Sequence, residues 1–108
     1  MSLDIALLDP TATYDVGPLY DGNITHNLVP MARKLGIYEY VWRPEENNIH
    51  AAHCLIMPVY SAINRLRKKP EKYNADNDWG TVPQLLKFLE GLLEACKMYP
   101  KAKIYIWR

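Results

Sequence analysis

The residues best suited to chemistry lie together near the first third of the chain, in the segment Asn23-Ile24-Thr25-His26-Asn27. If a helix begins here, its first N–H groups lack partners, and the positive end of its dipole could receive an anion. His26 could donate to a phosphate or act as an acid or base near neutral pH. The structural alternative is that Thr and Asn act as helix caps, a role both residues fill well.

These residues define the first part of a candidate site. Four of them are candidate ligand-binding residues: Asn23, Thr25, His26 and Asn27. His26 is in addition the candidate catalytic residue, because an imidazole transfers protons near pH 7.

A second polar segment follows a short apolar stretch, at Trp42-Arg43-Pro44. An Arg beside a Trp can stack on a base or grip a carboxylate or phosphate. The equally supported alternative is that Arg43 pairs with a neighbouring carboxylate while Trp42 fills the core. Trp42 and Arg43 therefore join the candidate ligand-binding residues.

A third polar segment, residues 74–80, surrounds Trp79. A calcium loop would need Asp or Asn at alternating positions and a Glu further on, and that pattern is incomplete here. A turn bonded by its own side chains is the better interpretation. Trp79 is the last candidate ligand-binding residue, and we hypothesise that His26, Asn27, Arg43 and Trp79 line one pocket.

The sequence contains no established motif for binding a metal or a cofactor. Glu46, His50 and His53 would share a helix face if a helix began early enough, but their spacing matches no established metal motif. A glycine-rich phosphate loop, CxxC, HExxH and G-x-S-x-G are also missing from the sequence. The sequence predicts no metal and no cofactor, and leaves open whether the protein is an enzyme.

Composition indicates one folded domain spanning residues 1–108, with 49% hydrophobic and 23% charged residues. The net charge of +1, from 13 basic and 12 acidic residues, gives no strong signal for nucleic-acid binding. Cys54 and Cys96 fall among apolar residues, so we expect buried, free thiols. A leader peptide and an apolar run of about 20 residues are both absent from the sequence, which favours a cytoplasmic protein without membrane contact.

The element pattern predicts an α+β fold in which strands at the two termini form a small antiparallel sheet covered by three to four helices. The strands are expected near Leu3–Leu8 and Ala102–Trp107. The expected helices are Leu28–Gly36, capped at Thr25 or Asn27, about Ile49–Lys68, and one running from a Thr81 cap to Tyr99-Pro100. Residues 37–42 fit either a short helix or a strand.

Several segments together resemble small uncharacterised proteins of tailed bacteriophages and prophages. The resemblance extends over nearly the whole chain and rests on Met1-Ser2-Leu3-Asp4-Ile5, residues 23–28, Leu35-Gly36-Ile37-Tyr38, residues 42–46, Trp79-Gly80, Ala95-Cys96 and Tyr99-Pro100. The chain departs from the group in having Asp78 before Trp79, where Gly is typical. The resemblance implies a phage origin and no particular activity. With that origin, the cytoplasm expected from the composition would be that of the bacterial host.

We therefore expect a phage accessory protein that binds a host protein or a small anionic ligand through the Thr25–Asn27 helix start and Arg43. One alternative is a small enzyme acting on a nucleotide or other phosphorylated substrate, with His26 as acid or base. Another is a structural or assembly component that works through a homodimer surface. A pocket holding His26 and Arg43 would favour a ligand, whereas an exposed apolar patch would favour a protein partner.

Overall fold

A three-stranded antiparallel sheet joins the two ends of the chain in the computed structural model, which describes residues 2–11, 17–73 and 81–108. Its strands are β1 (Ser2–Leu8), β2 (Tyr20–Thr25) and β3 (Lys103–Trp107), arranged in the order β2-β1-β3. The terminal strands β1 and β3 are direct partners, with Ile5 opposite Ile106. The predicted α+β fold is confirmed, and β2 adds a third strand to the expected pair.

Helices fill the middle of the chain, as the sequence predicts. In the described ranges there are four α-helices: α1 (Val29–Leu35), α2 (Tyr38–Val41), α3 (His53–Lys68) and α4 (Val82–Met98). Short 3-10 turns lie at His26–Leu28, Pro44–Asn47 and Pro70–Tyr73. The ambiguous residues 37–42 thus form a one-turn helix rather than a strand.

The predicted helix boundaries depend on individual caps. The Thr25 Oγ1 accepts from the Asn27 N–H at 3.2 Å, and the Thr81 Oγ1 accepts from the Gln84 N–H at 3.2 Å. Gly36 ends α1 in the left-handed region, with φ 83°, which a residue without Cβ adopts at little cost. Because these bonds satisfy otherwise unpaired N–H groups, local sequence fixes where the turn at His26 and helix α4 start.

Two predicted boundaries are wrong. Asn23, which was expected to lead into a helix, lies within β2. Helix α3 begins at His53 instead of Ile49, because the preceding segment runs alongside β3: the Ile104 N–H donates to the His50 carbonyl, and the Ala52 N–H to the Ala102 carbonyl, both at 2.9 Å. Since His50 precedes the helix, Glu46, His50 and His53 do not share a helix face.

The core lies on one face of the sheet. Leu3, Ile5 and Leu7 alternate along β1 and are fully buried, and the apolar stripes of α3 and α4 are buried against them. The helices close this face at short range: a Cβ added at Gly22 of β2 would stand 3.3 Å from the Phe88 ring of α4. The opposite face of the sheet carries the even-numbered residues of β1, which are the half-buried Ser2, the exposed Asp4, the buried Ala6 and the half-buried Leu8.

The two cysteines differ, and the expectation that both are buried is wrong for one. Cys54 and Cys96 are both free thiols, but Cys54 is exposed and Cys96 is buried. The helical period of α3 turns Leu55 and Val59 toward the core, which leaves Cys54 facing solvent. Burial raises the pKa of the Cys96 thiol to about 12. No helix within the described residues is long and apolar enough to cross a bilayer.

Candidate functional site

The polar segment at residues 23–27 divides between two structural elements. Asn23 lies in β2 opposite Asp4, and its Nδ2 donates to the Asp4 Oδ1 at 2.7 Å and to the Ser2 Oγ at 2.9 Å. The Thr25 hydroxyl caps the 3-10 turn that begins at His26. Asn27 contributes its backbone N–H to that cap. Asn23 therefore belongs to a surface of the sheet, whereas Thr25 holds the chain reversal that follows.

His26 has one ring nitrogen enclosed by the fold. Its Nε2 atom is buried and finds no hydrogen-bond partner among the described residues. An acid or base must reach its substrate, and an enclosed Nε2 is poorly placed for that. The three-residue turn at His26 and the seven-residue α1 that follows it directly form only a short helical segment, so the dipole that would attract an anion is small.

Arg43 is engaged by two neighbours. Its Nε donates to the Tyr38 hydroxyl at 3.0 Å, and its Nη1 donates to the Glu46 Oε2 at 2.6 Å. These contacts, first with Tyr38 and then with Glu46, raise the pKa of Arg43 above its ordinary value. The same bond from Arg43 is the main reason that the pKa of Tyr38 is lowered. An incoming anion would have to compete with Glu46 for this guanidinium.

Tyr38 is the centre of this group of side chains. The Arg33 guanidinium lies 4.3 Å from the centroid of the Tyr38 ring, and the Trp42 ring stacks on it at 5.9 Å with an interplanar angle of 16°. We call the group the Tyr38 cluster, comprising Arg33, Tyr38, Trp42, Arg43 and Glu46. Trp42 is only 1% exposed, and its buried Nε1 has no hydrogen-bond partner in the part of the chain that the structure describes.

Arg108, which directly follows β3, connects the end of that strand to the Tyr38 cluster. The Arg108 Nη1 donates to the Trp42 carbonyl at 2.9 Å and pairs with Glu45, while its Nη2 lies 3.8 Å from the Glu46 Oε2. Partial burial would raise the pKa of Glu45, but its own backbone N–H and Arg108 outweigh that and lower it. Sequence reasoning missed Arg108, because it comes near residues 42–46 through long-range packing, in which the segment before α3 runs alongside β3.

The predicted site residues thus fall into two groups that share no hydrogen-bond partner within the described part of the chain. Asn23 and Thr25 contact Ser2, Asp4 and Asn27, whereas Arg43 contacts Tyr38 and Glu46. Trp79 lies outside the described residues, so the four-residue pocket stays a prediction. His26, Asn27 and Arg43 line none of three surface depressions, which lie on the sheet, between α3 and α4, and at the edge of β3.

The side of the sheet away from the helices carries a distinct surface, which we call the outer face. Strand register places its residues in two rows, Asn23–Asp4–Trp107 and Asp21–Ala6–Tyr105. Tyr105 is 40% exposed and Trp107 is 57% exposed. Their ring centroids lie 4.1 Å apart at an angle of 50°, so the two aromatic side chains form one contiguous apolar patch.

A depression of about 490 Å³ lies beside this patch. The small side chain of Ala6 stands between larger ones, with Asp4 and Asp21 on the β1 and β2 side and Trp107 on the β3 side. Its complete lining is Asp4, Ile5, Ala6, Pro18, Asp21, Gly22, Asn23 and Trp107. Alternation along β3 already predicts that Tyr105 and Trp107 face away from Ile104 and Ile106. That Asp4 and Asp21 lie beside these two aromatic residues follows only from the strand register, which the sequence does not reveal.

Two further depressions offer less to a ligand. One of about 250 Å³ lies between α3 and α4 around the Arg67–Glu90 ion pair. Another of about 340 Å³ lies at the edge of β3, where Arg108 is already paired with Glu45. Among the described residues, no group of three or more His, Cys, Asp and Glu side chains is placed to hold a metal ion.

Comparison with known proteins found no matching family model and no curated protein or solved structure with significant similarity to this chain. The geometry of the outer face and of the Tyr38 cluster is therefore the basis for a functional proposal.

Proposed function

We propose that this chain is a non-catalytic accessory protein of a phage or prophage, and that it binds a host protein through its outer face. The phage origin comes from the sequence resemblance. The observation that carries the binding role is the exposed Tyr105–Trp107 pair beside a depression. Among the described residues, the hydrophobic core lies on the other side of the sheet and does not include this pair.

The chemistry of these side chains suits a protein partner. Tyr and Trp are the residues that most often dominate binding energy at protein interfaces, because they bury a large rigid area with few rotatable bonds. Pairing of β3 with β1 holds both rings on a fixed backbone, with Tyr105 opposite Ala6 and Trp107 opposite Asp4. A rigid platform loses little entropy on binding, which favours a tight contact from a small area.

The two ligand-based alternatives receive less support from the geometry. An anion at Arg43 would have to displace Glu46, which is 2.6 Å from the guanidinium. A proton-transfer role for the His26 Nε2 would need that atom to be accessible, and it is buried. The outer face needs no such rearrangement before a partner can bind.

The test compares two exposed apolar patches of the same molecule. We would use the wild type, a Tyr105→Ala/Trp107→Ala variant and a matched Met57→Ala/Tyr60→Ala variant as baits in bacterial lysate. Met57 and Tyr60 are 70% and 47% exposed on α3, so the control removes a similar patch elsewhere. Each captured protein would be purified, and its Kd for all three baits measured by calorimetry.

We expect to capture a host protein that binds the Tyr105→Ala/Trp107→Ala variant at least about 30-fold more weakly than the wild type. A loss of about 30-fold is the effect expected from removing a single interface hot spot. The Met57→Ala/Tyr60→Ala variant should bind it with wild-type affinity. Equal affinity for all three baits, or a loss confined to the α3 variant, would reject the outer face as the binding surface.

A further inference from the structure

We infer that the depression on the outer face receives an arginine side chain of the partner, an inference that rests on the binding role proposed above. Two carboxylates and one indole ring border the same small space over Ala6. Carboxylates attract a cation, and the face of an indole ring attracts one as well. The three groups therefore select the same kind of ligand group, a side chain that is both flat and positively charged.

Strand register fixes how these groups are arranged. Asp4 lies directly opposite Trp107 on one side and Asn23 on the other, while Asp21 lies opposite Ala6 in the next row. Paired residues of neighbouring strands lie about 5 Å apart. A side chain lying over Ala6 would thus have the indole on one side and carboxylates on the other.

Asn23 orients one of the two carboxylates. Its Nδ2 donates to the Asp4 Oδ1 at 2.7 Å, which holds that carboxylate in one orientation without neutralising its charge. The nearest cation of the sheet on this face is Lys103, which lies opposite Leu8, one row beyond Tyr105. Two residues along a strand correspond to about 7 Å, so Lys103 weakens the negative potential of the depression without filling it.

A guanidinium fits this arrangement better than the other charged groups that proteins present. It can bond a carboxylate through two parallel N–H groups and stack flat on an indole, whereas an ammonium group is a compact and strongly hydrated point charge. A phosphate or an acidic side chain would be repelled by Asp4 and Asp21. One exposed ion pair contributes little, so recognition depends on both carboxylates and the ring acting together.

The experiment uses three short probes that differ in one side chain. Acetyl-Gly-Arg-Gly-amide, its lysine analogue and its citrulline analogue would be titrated into the full chain, with NMR observation of the Trp107 indole N–H. Citrulline keeps the shape of arginine and removes the charge. Asp4→Asn and Asp21→Asn keep the shape of each carboxylate, and Glu94→Gln on α4 is the matched control, since that carboxylate lies outside the depression.

The arginine probe should give saturable shifts of the Trp107 signal, with an affinity at least about fivefold above the citrulline probe and above the lysine probe. Asp4→Asn and Asp21→Asn should each weaken arginine binding by about fivefold or more, while Glu94→Gln leaves it unchanged. Equal responses to arginine and citrulline, no saturable response, or indifference to both Asp→Asn changes would overturn the arginine assignment. The proposed function would survive that result if the Tyr105→Ala/Trp107→Ala variant still loses its protein partner, and would fail separately if it does not.

Discussion

Trp42 and Trp107 are the same residue in opposite surroundings. Trp42 is 1% exposed and stacks on Tyr38 within the core, whereas Trp107 is 57% exposed on the outer face of the sheet. The first is held by the residues around it, including Arg108, which bonds its carbonyl. The second contacts the Tyr105 ring and borders the depression on the outer face.

This difference separates residues that serve folding from residues that are available to a partner. In the Tyr38 cluster, Arg43 and Glu46 neutralise each other, and Trp42 fills volume, so an unusual density of polar and aromatic residues is accounted for by structure. On the outer face, Tyr105, Trp107 and Asp21 support no packing on the core side of the sheet. Unusual composition alone does not distinguish the two cases, and strand register does.

The largest effect on stability is expected when each tryptophan is replaced by alanine in turn, which tests this contrast directly. Trp42→Ala should lower the free energy of unfolding by about 3–5 kcal/mol, the usual cost of removing a buried aromatic side chain. Trp107→Ala should change it by about 0.5 kcal/mol or less, as is typical of an exposed position. Urea denaturation followed by circular dichroism measures both. Similar losses from the two variants would mean that Trp107 also supports the fold.

The fold was more predictable from sequence than the site. Caps at Thr25 and Thr81, the stop at Gly36 and the alternation of β3 are local signals, and each was interpreted correctly because it acts over a few residues. The start of α3 was misplaced because it depends on hydrogen bonds to Pro100 and Ala102, nearly 50 residues away in the sequence. Long-range pairing of this kind leaves no local pattern.

The candidate site suffered from the same limit. Trp42 and Arg43 attracted attention because they are adjacent in the sequence, and their partner Arg108 could not be anticipated. The outer face joins residues from three strands, Asp4, Asp21 and Trp107, which become neighbours only when the register is known. Residues that are adjacent in the sequence pointed to the Tyr38 cluster, whereas residues that are adjacent only in the folded structure form the outer face.

A smaller effect tests whether Thr25 belongs with the folding residues. Thr25→Ala removes the oxygen that accepts from the Asn27 N–H, and should lower the free energy of unfolding by about 0.5–1 kcal/mol. Thr25→Ser keeps that oxygen and should restore most of the loss. Thr81→Ala is the matched comparison, because it removes the same type of cap from α4. If Thr81→Ala clearly lowers the free energy of unfolding and Thr25→Ala does not, the Thr25 hydroxyl is not needed for folding, and a ligand-binding role for it would gain support.

The smallest effect concerns the pairing of Glu45 with Arg108, which connects the C-terminus to the Tyr38 cluster. Because the pKa of Glu45 is lowered in the folded protein, its stabilising contribution is complete above the unfolded pKa of about 4.3 and is lost as pH falls through the folded value. Glu45→Gln should therefore cost a few tenths of a kcal/mol at pH 7, about the contribution of an exposed ion pair. Urea titrations at pH 7 and near pH 3 measure this difference, with Glu94→Gln as the control. The difference in the free energy of unfolding between wild type and Glu45→Gln should be smaller near pH 3 than at pH 7. A difference of the same size at both pH values would show that the charge of Glu45 contributes nothing to holding Arg108 in place.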